Sequence, residues 1–291
     1  MELFQTEELV DIVYGKTKER ELKLDMIKPI SDQRFPVIIY VHGGGWMAGD
    51  KRNVGGKWNA SFAQYGFVCV NINFRLSGEA IFPAPLLDVK AAIRWVKEHA
   101  DQYNMDENKI GIWGHSSGGH LSTLAALSAD HAEFLMGDEK VSDKVNAVAS
   151  LAGPVDLLSM GTWHDNPNSL ESKFLGGSVQ EQKDLAQKAN PINYIRENVP
   201  PFLIVHGDND KICPVQQSRM LHNELHNSSY LEIKGADHDF IAGTLNMDEI
   251  LKLVLSFFNK TLKTGLMTAD EIHEHQEEVE KVVNWFITNS K

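Results

Sequence analysis

Four short segments of this 291-residue chain carry side chains that could do chemistry together. The first is Gly114-His115-Ser116-Ser117-Gly118-Gly119, a G-x-S-x-G pattern between a short apolar run and a run of small residues. A tight strand-to-helix turn strains the backbone of its central residue, and glycines two positions to either side leave it room. Ser116 then projects from the carboxyl end of a sheet as a nucleophile, with the amides of the following helix aimed at developing charge. The bare pattern recurs by chance; the strand before it and the helix after it give it weight. The second segment is His42-Gly43-Gly44-Gly45-Trp46, directly after an apolar run. Taken in isolation it is a glycine-rich turn. Beside a nucleophile it reads as an oxyanion hole, because acyl transfer builds charge on a carbonyl oxygen that preorganised amides stabilise. The donors expected are the amides of Gly44, Gly45 and Ser117, with His42 bracing the loop.

A serine nucleophile needs a base, and the base needs an acid to fix its tautomer. The segment His206-Gly207-Asp208-Asn209-Asp210 follows an apolar run and precedes a helical pattern, so Asp208 and Asp210 both stand at a strand end. Either aspartate could instead cap a helix or shape a turn. The fourth segment is Gly235-Ala236-Asp237-His238-Asp239-Phe240. Loop histidines are mostly solvated, yet His238 completes the chain order serine, acid, histidine that a strand-turn-helix nucleophile predicts. His238 is therefore the expected base. Asp237 and Asp239 are too close along the chain to fold easily onto its ring.

The elements that must position these residues alternate. Residues 37–41, 66–73, 110–113, 147–152, 202–206 and 230–233 are short apolar runs, the pattern of strands buried on both faces. Residues 21–27 alternate and read as an early edge strand. Helical stripes cover 85–100, 121–127, 214–225 (with Pro214 in the first turn), 248–262 and 269–288. Residues 154–190 read as irregular. Alternating strands and helices imply a mostly parallel sheet covered on both faces. No composition break divides the chain, so one domain over 1–291 is expected.

Composition narrows the function classes. The chain has 42% hydrophobic and 23% charged residues and a formal net charge of −12. That acidity argues against nucleic-acid binding through the general field, which needs excess Lys and Arg. Residues 268–291 hold six acidic and two basic side chains, a third of the net charge. No apolar run approaches membrane-spanning length, and the first residues lack a secretory pattern, so a cytoplasmic protein is expected. Two cysteines, Cys69 and Cys213, build no disulfide framework. His222 and His226 are four residues apart on a helical stretch but match no metal motif, and no metal or cofactor is expected.

These motifs resemble those of α/β-hydrolases, in particular the hormone-sensitive-lipase-like esterases and the neighbouring bacterial feruloyl- and acetyl-xylan-esterase-like group. The resemblance runs from about residue 20 to 262. It rests on the four segments above, on Asn73-Phe74-Arg75-Leu76, on Phe82-Pro83-Ala84-Pro85 with Asp88, and on Asn190-Pro191 and Pro200-Pro201 before the acid strand. It implies the α/β-hydrolase fold: a mostly parallel sheet of about eight strands flanked by helices, a small cap or insertion at 154–190 after the sixth strand, and a helical extension at 264–291. It also implies Asp210, rather than Asp208, as the acid. Two positions depart from it. Ser117 stands where the family commonly has alanine. His115 stands where many lipase-like relatives have aspartate, which draws the chain toward the feruloyl- and acetyl-xylan-like group and the kynurenine-formamidase-like hydrolases.

The expected activity is a serine carboxylesterase acting on small to medium esters; the resemblance implies acetyl or feruloyl esters of sugars among them, and a triad of Ser116, His238 and Asp210. An amide hydrolase of the same fold (a formamidase or small peptidase) is the alternative, and a non-catalytic receptor is a distant third. Trp46 and Trp163 are the expected pocket walls; anchoring a loop to the core is the other role open to aromatic residues of 154–190. The apolar stretch 250–258 is core or the face of a homodimer.

Overall fold

The computed structural model describes residues 3–18, 20–135 and 140–263. The extension expected at 264–291, with its helix at 269–288, lies outside the described residues. Eight strands form one sheet: β1 (Thr6–Lys16), β2 (Glu21–Pro29), β3 (Phe35–Val41), β4 (Val68–Ile72), β5 (Met105–His115), β6 (Ala147–Leu151), β7 (Phe202–Gly207) and β8 (Ser228–Ile233). Their order is β1-β2-β4-β3-β5-β6-β7-β8. The β1–β2 and β2–β4 pairs are antiparallel and the rest are parallel.

The helices are α1 (Val54–Ser61), α2 (Ala84–Glu98), α3 (Ala100–Tyr103), α4 (Ser117–Leu127), α5 (Leu170–Leu175), α6 (Lys183–Ala189), α7 (Gln216–Glu224) and α8 (Met247–Phe258). Alternate residues of each buried strand feed two cores. Val37, Ile39 and Val41 of β3 join Leu86, Val89 and Ile93 of α2 and Leu121 and Leu124 of α4. Ile38 and Tyr40 face the other way, toward Ile250, Val254 and Phe258 of α8. Period-2 strands buried on both faces require this division. In the apolar stretch 250–258, Ile250, Leu251, Val254 and Phe258 are thereby core, Leu255 and Phe257 pack against it, and Leu253 is left 39% exposed.

The structure corrects the expected edge. β2 is the second strand, and β1 lies outside it. Only Tyr14 of β1 is buried, and register shifts after Leu9 and Val13 interrupt the alternation of its apolar residues. The antiparallel ladder to β2 holds it, and an ion cluster adds to that. The buried Lys51 Nζ lies 2.8 Å from Asp11 Oδ1 and 3.0 Å from the buried Asp25 Oδ1. Arg52 Nε adds a 2.5 Å contact to Asp25 Oδ2. Two further boundaries move. The strand expected at 110–113 extends over Met105–His115, and α7 starts at Gln216, so Pro214 precedes the helix. The 154–190 segment is less irregular than expected, since it contains α5 and α6.

Candidate active site

Ser116 sits between the end of β5 and the first residue of α4 with φ 57° and ψ −125°. This left-handed conformation is strained for a residue with a Cβ. Its amide donates to Leu151 O of β6 at 2.8 Å, which pins the turn to the sheet. The turn is tight enough that a Cβ on Gly118 would lie 2.1 Å from Val41 O. Only glycine admits α4 that close to β3.

His238 reaches Ser116 from the loop after β8. Ser116 Oγ–H donates to His238 Nε2 at 2.9 Å, and His238 Nδ1–H donates to Asp210 Oδ2 at 2.6 Å. His238 and Asp210 are 7% and 9% exposed. Burial raises the Asp210 carboxyl, but hydrogen bonds from His206 and His238 outweigh it and hold the group well below the usual carboxylate range. The other candidate acid, Asp208, points elsewhere: its Oδ1 accepts the Gly235 amide at 2.6 Å and so orders the loop that carries His238. Its signal was that of a turn residue, and it serves as one.

The glycine loop lines the same cleft as Ser116 and His238. Gly44 and Gly45 have φ of 122° and 61°. A Cβ on Gly44 would meet Ala48 O at 2.2 Å. The amides of Gly44, Gly45 and Ser117 donate to no protein acceptor among the described residues. His42 does brace this loop, with its Nδ1 2.9 Å from Gly43 O and its ring stacked on Phe74. Burial pushes its imidazole below the ordinary value.

Ser116 and His238 open on a cleft of about 470 Å³. Its walls include Tyr40, Trp58, Trp113, Leu170, Ile212 and Met247, together with Asp239. The expected walls are placed otherwise. Trp46 is 2% exposed, donates from Nε1 to His120 Nδ1 at 3.2 Å and stacks on Phe174. Trp163 is 64% exposed, and neither tryptophan lines the cleft. Phe174 anchors the 154–190 segment to the core, and its neighbour on α5, Leu170, is what reaches the cleft.

Two histidines beside the site had no role in the sequence reading. His115 Nε2–H donates to the His238 carbonyl at 2.7 Å. Burial, and repulsion from His238 whenever that ring is protonated, push its imidazole down to about 4. His206 touches Asp210 directly. Its signal was its position as the last side chain of β7, four residues before the acid.

The strand order, with a strained serine at the end of β5 and an acid and a histidine after β7 and β8, defines an α/β-hydrolase. More narrowly, the chain belongs to the BD-FAE family, whose model matches residues 24–225. Among curated proteins it is 31% identical to Esterase LipC of Mycobacterium tuberculosis over 79% of this chain and 59% of that one. It is 34% identical to Esterase LipQ of the same organism over 85% of this chain and 61% of that one. The chain thus spans about three fifths of the length of these relatives. Among solved structures, a truncated carbohydrate esterase from gut microbiota is 28% identical with a TM-score of 0.77, over 90% of this chain and 98% of that one. No described helix is long and apolar enough to cross a membrane.

Proposed function

We propose that the chain is a serine carboxylesterase acting on small to medium esters, acetyl or feruloyl esters of sugars among them. The hydrogen-bonded line Ser116–His238–Asp210, opening on the cleft, carries this reading. Esterase relatives and a carbohydrate-esterase neighbour support it. His238 takes the Ser116 proton as Oγ attacks the ester carbonyl. The oxyanion forms against the free amides of Gly44, Gly45 and Ser117. His238 then returns the proton to the leaving alcohol. A water deprotonated by His238 then attacks the acyl-enzyme, and the proton passes from His238 to Ser116 Oγ as the acid leaves. Asp210 stays ionised throughout and stabilises the imidazolium.

In this reading residues 1–291 form one hydrolase domain with 154–190 as a small cap. The protein works in the cytoplasm on a small-molecule ester, without nucleic acid, metal or cofactor. The test is Ser116→Ala assayed on p-nitrophenyl acetate. Hydrolysis falls to background while the thermal melt is retained. Activity persisting in the folded variant would remove Ser116 from the mechanism. N-formylkynurenine hydrolysed faster than the acetate ester would turn the reading to an amide hydrolase.

A further inference from the structure

Asp210 accepts four hydrogen bonds. Its Oδ1 takes the amides of Ile212 and Cys213, both at 2.8 Å. Its Oδ2 takes two imidazoles, His238 Nδ1–H at 2.6 Å and His206 Nε2–H at 3.0 Å. The His206 tautomer follows from its partners. Nε2 faces only acceptors, Asp210 Oδ2 and Cys213 O (3.0 Å), so the ring proton sits there. Nδ1 then accepts from Ser218 Oγ–H at 2.7 Å. His206 is fully buried at the end of β7, and both of its ring nitrogens are occupied.

We propose that His206 is a positioning residue for the triad: its Nε2–H fixes Asp210 Oδ2 in line with His238 and shares that oxygen's charge, which sets how tightly Asp210 and His238 hold a proton between them. This rests on Ser116, His238 and Asp210 being the triad. The physical reason is competition at one atom. A carboxylate oxygen that already receives a buried N–H offers less charge to a second donor. With His206 silent, Oδ2 concentrates on His238 and favours the imidazolium. The acid also loses one of the four hydrogen bonds that hold its χ2 rotation.

Other ionisable groups face this pair. His115 of β5 packs its ring 4.8 Å from that of His238. Glu232 of β8 is in register with His206. Glu171 of α5 acts on the Cys213 thiol, and Asp239 adjoins His238. Substitution at 206 leaves all of them in place, so a change in titration belongs to the His206 contact.

The experiment compares His206→Leu, which removes the donor, with His206→Gln, whose Nε2 can replace it. Profiles of kcat/KM against pH on p-nitrophenyl acetate are read beside the low-field proton NMR signal of His238 Nδ1–H. In the Leu variant the acidic limb moves up by about 0.5–1 pH unit, the loss of about one hydrogen bond. Its kcat falls roughly tenfold at unchanged KM, on the scale of disturbed positioning, and the NMR signal moves. The Gln variant recovers limb and signal. If the Leu variant does not fold, Ser218→Ala replaces it; loss of the Nδ1 partner shifts both readouts the same way by less. Unchanged limb and signal in a folded variant overturn the proposal. So does an equal shift in the Leu and Gln variants, which marks a packing role. A wild type without Ser116-dependent hydrolysis overturns the triad reading instead, and the NMR comparison still decides whether His206 acts on Asp210 and His238.

Discussion

The amide donors of the glycine loop depend on backbone that a side chain cannot occupy. At Gly44 a Cβ would strike the carbonyl oxygen of Ala48 at 2.2 Å, and φ is 122°. Neither conflict is relieved by moving a flexible side chain. Gly44→Ala should therefore displace the loop and lower kcat on p-nitrophenyl acetate by about 10²-fold, the scale of one lost oxyanion donor. An unchanged kcat would take Gly44 out of the hole. Ser116, His238 and the glycine loop of the proposed site were singled out from residue type and order, because acyl-transfer chemistry calls for such groups. The choice of Asp210 over Asp208 rested on family spacing. The structure gives a physical ground, since Asp208 turns to the Gly235 amide. His206 was invisible as a partner because its role lies in a side-chain contact across a turn.

Among the elements, α4 is held by a buried histidine. His120 Nε2–H donates to Ala189 O at 2.8 Å, and its Nδ1 accepts from Trp46. It thus joins α4, α6 and the Gly44–Gly45 loop. Burial pushes its imidazole from 6.5 down to about 4. Below pH 6.5 the unfolded chain binds a proton that the folded chain refuses until about pH 4. Stability from this group is therefore complete above that window and is lost as pH falls through it. Between pH 7 and pH 5 the loss is about 2 kcal/mol. Denaturant unfolding at the two pH values should show a gap that His120→Gln, which cannot protonate there, narrows by that amount. An identical gap in the variant would place the acid sensitivity elsewhere. α2, α4, α7, α8 and the buried strands were legible from their apolar stripes and runs, whereas the short α1, α3, α5 and α6 were not. β1 was not either, because register shifts after Leu9 and Val13 break the alternation of its apolar residues Leu9, Val10, Ile12, Val13 and Tyr14.

For the whole molecule, the net charge of −12 meets the substrate at the cleft. Asp239 lines it, and neither lysine nor arginine is among its described walls. An ester bearing a carboxylate is repelled by both the general field and this side chain. Monomethyl succinate should be hydrolysed with a kcat/KM about fivefold or more below that of neutral methyl butyrate at 10 mM salt, where the Debye length is about 30 Å. The ratio should narrow at 0.5 M salt. A ratio that ignores salt would assign the preference to shape rather than charge.

The sequence by itself determined the alternation of strands and helices, the strained serine, the glycine loop and the chain order of Ser116, Asp210 and His238, the proposed triad. Each of these is a local requirement of backbone conformation or of chemistry, and so is written in residue type and spacing. Tertiary structure decided which side chains surround them. It turned Trp46 into the core against Phe174, brought Leu170 and Met247 to the cleft, and set two imidazoles on one oxygen of Asp210. Those contacts join residues distant in the chain or turned toward one another by packing, and no periodicity records them.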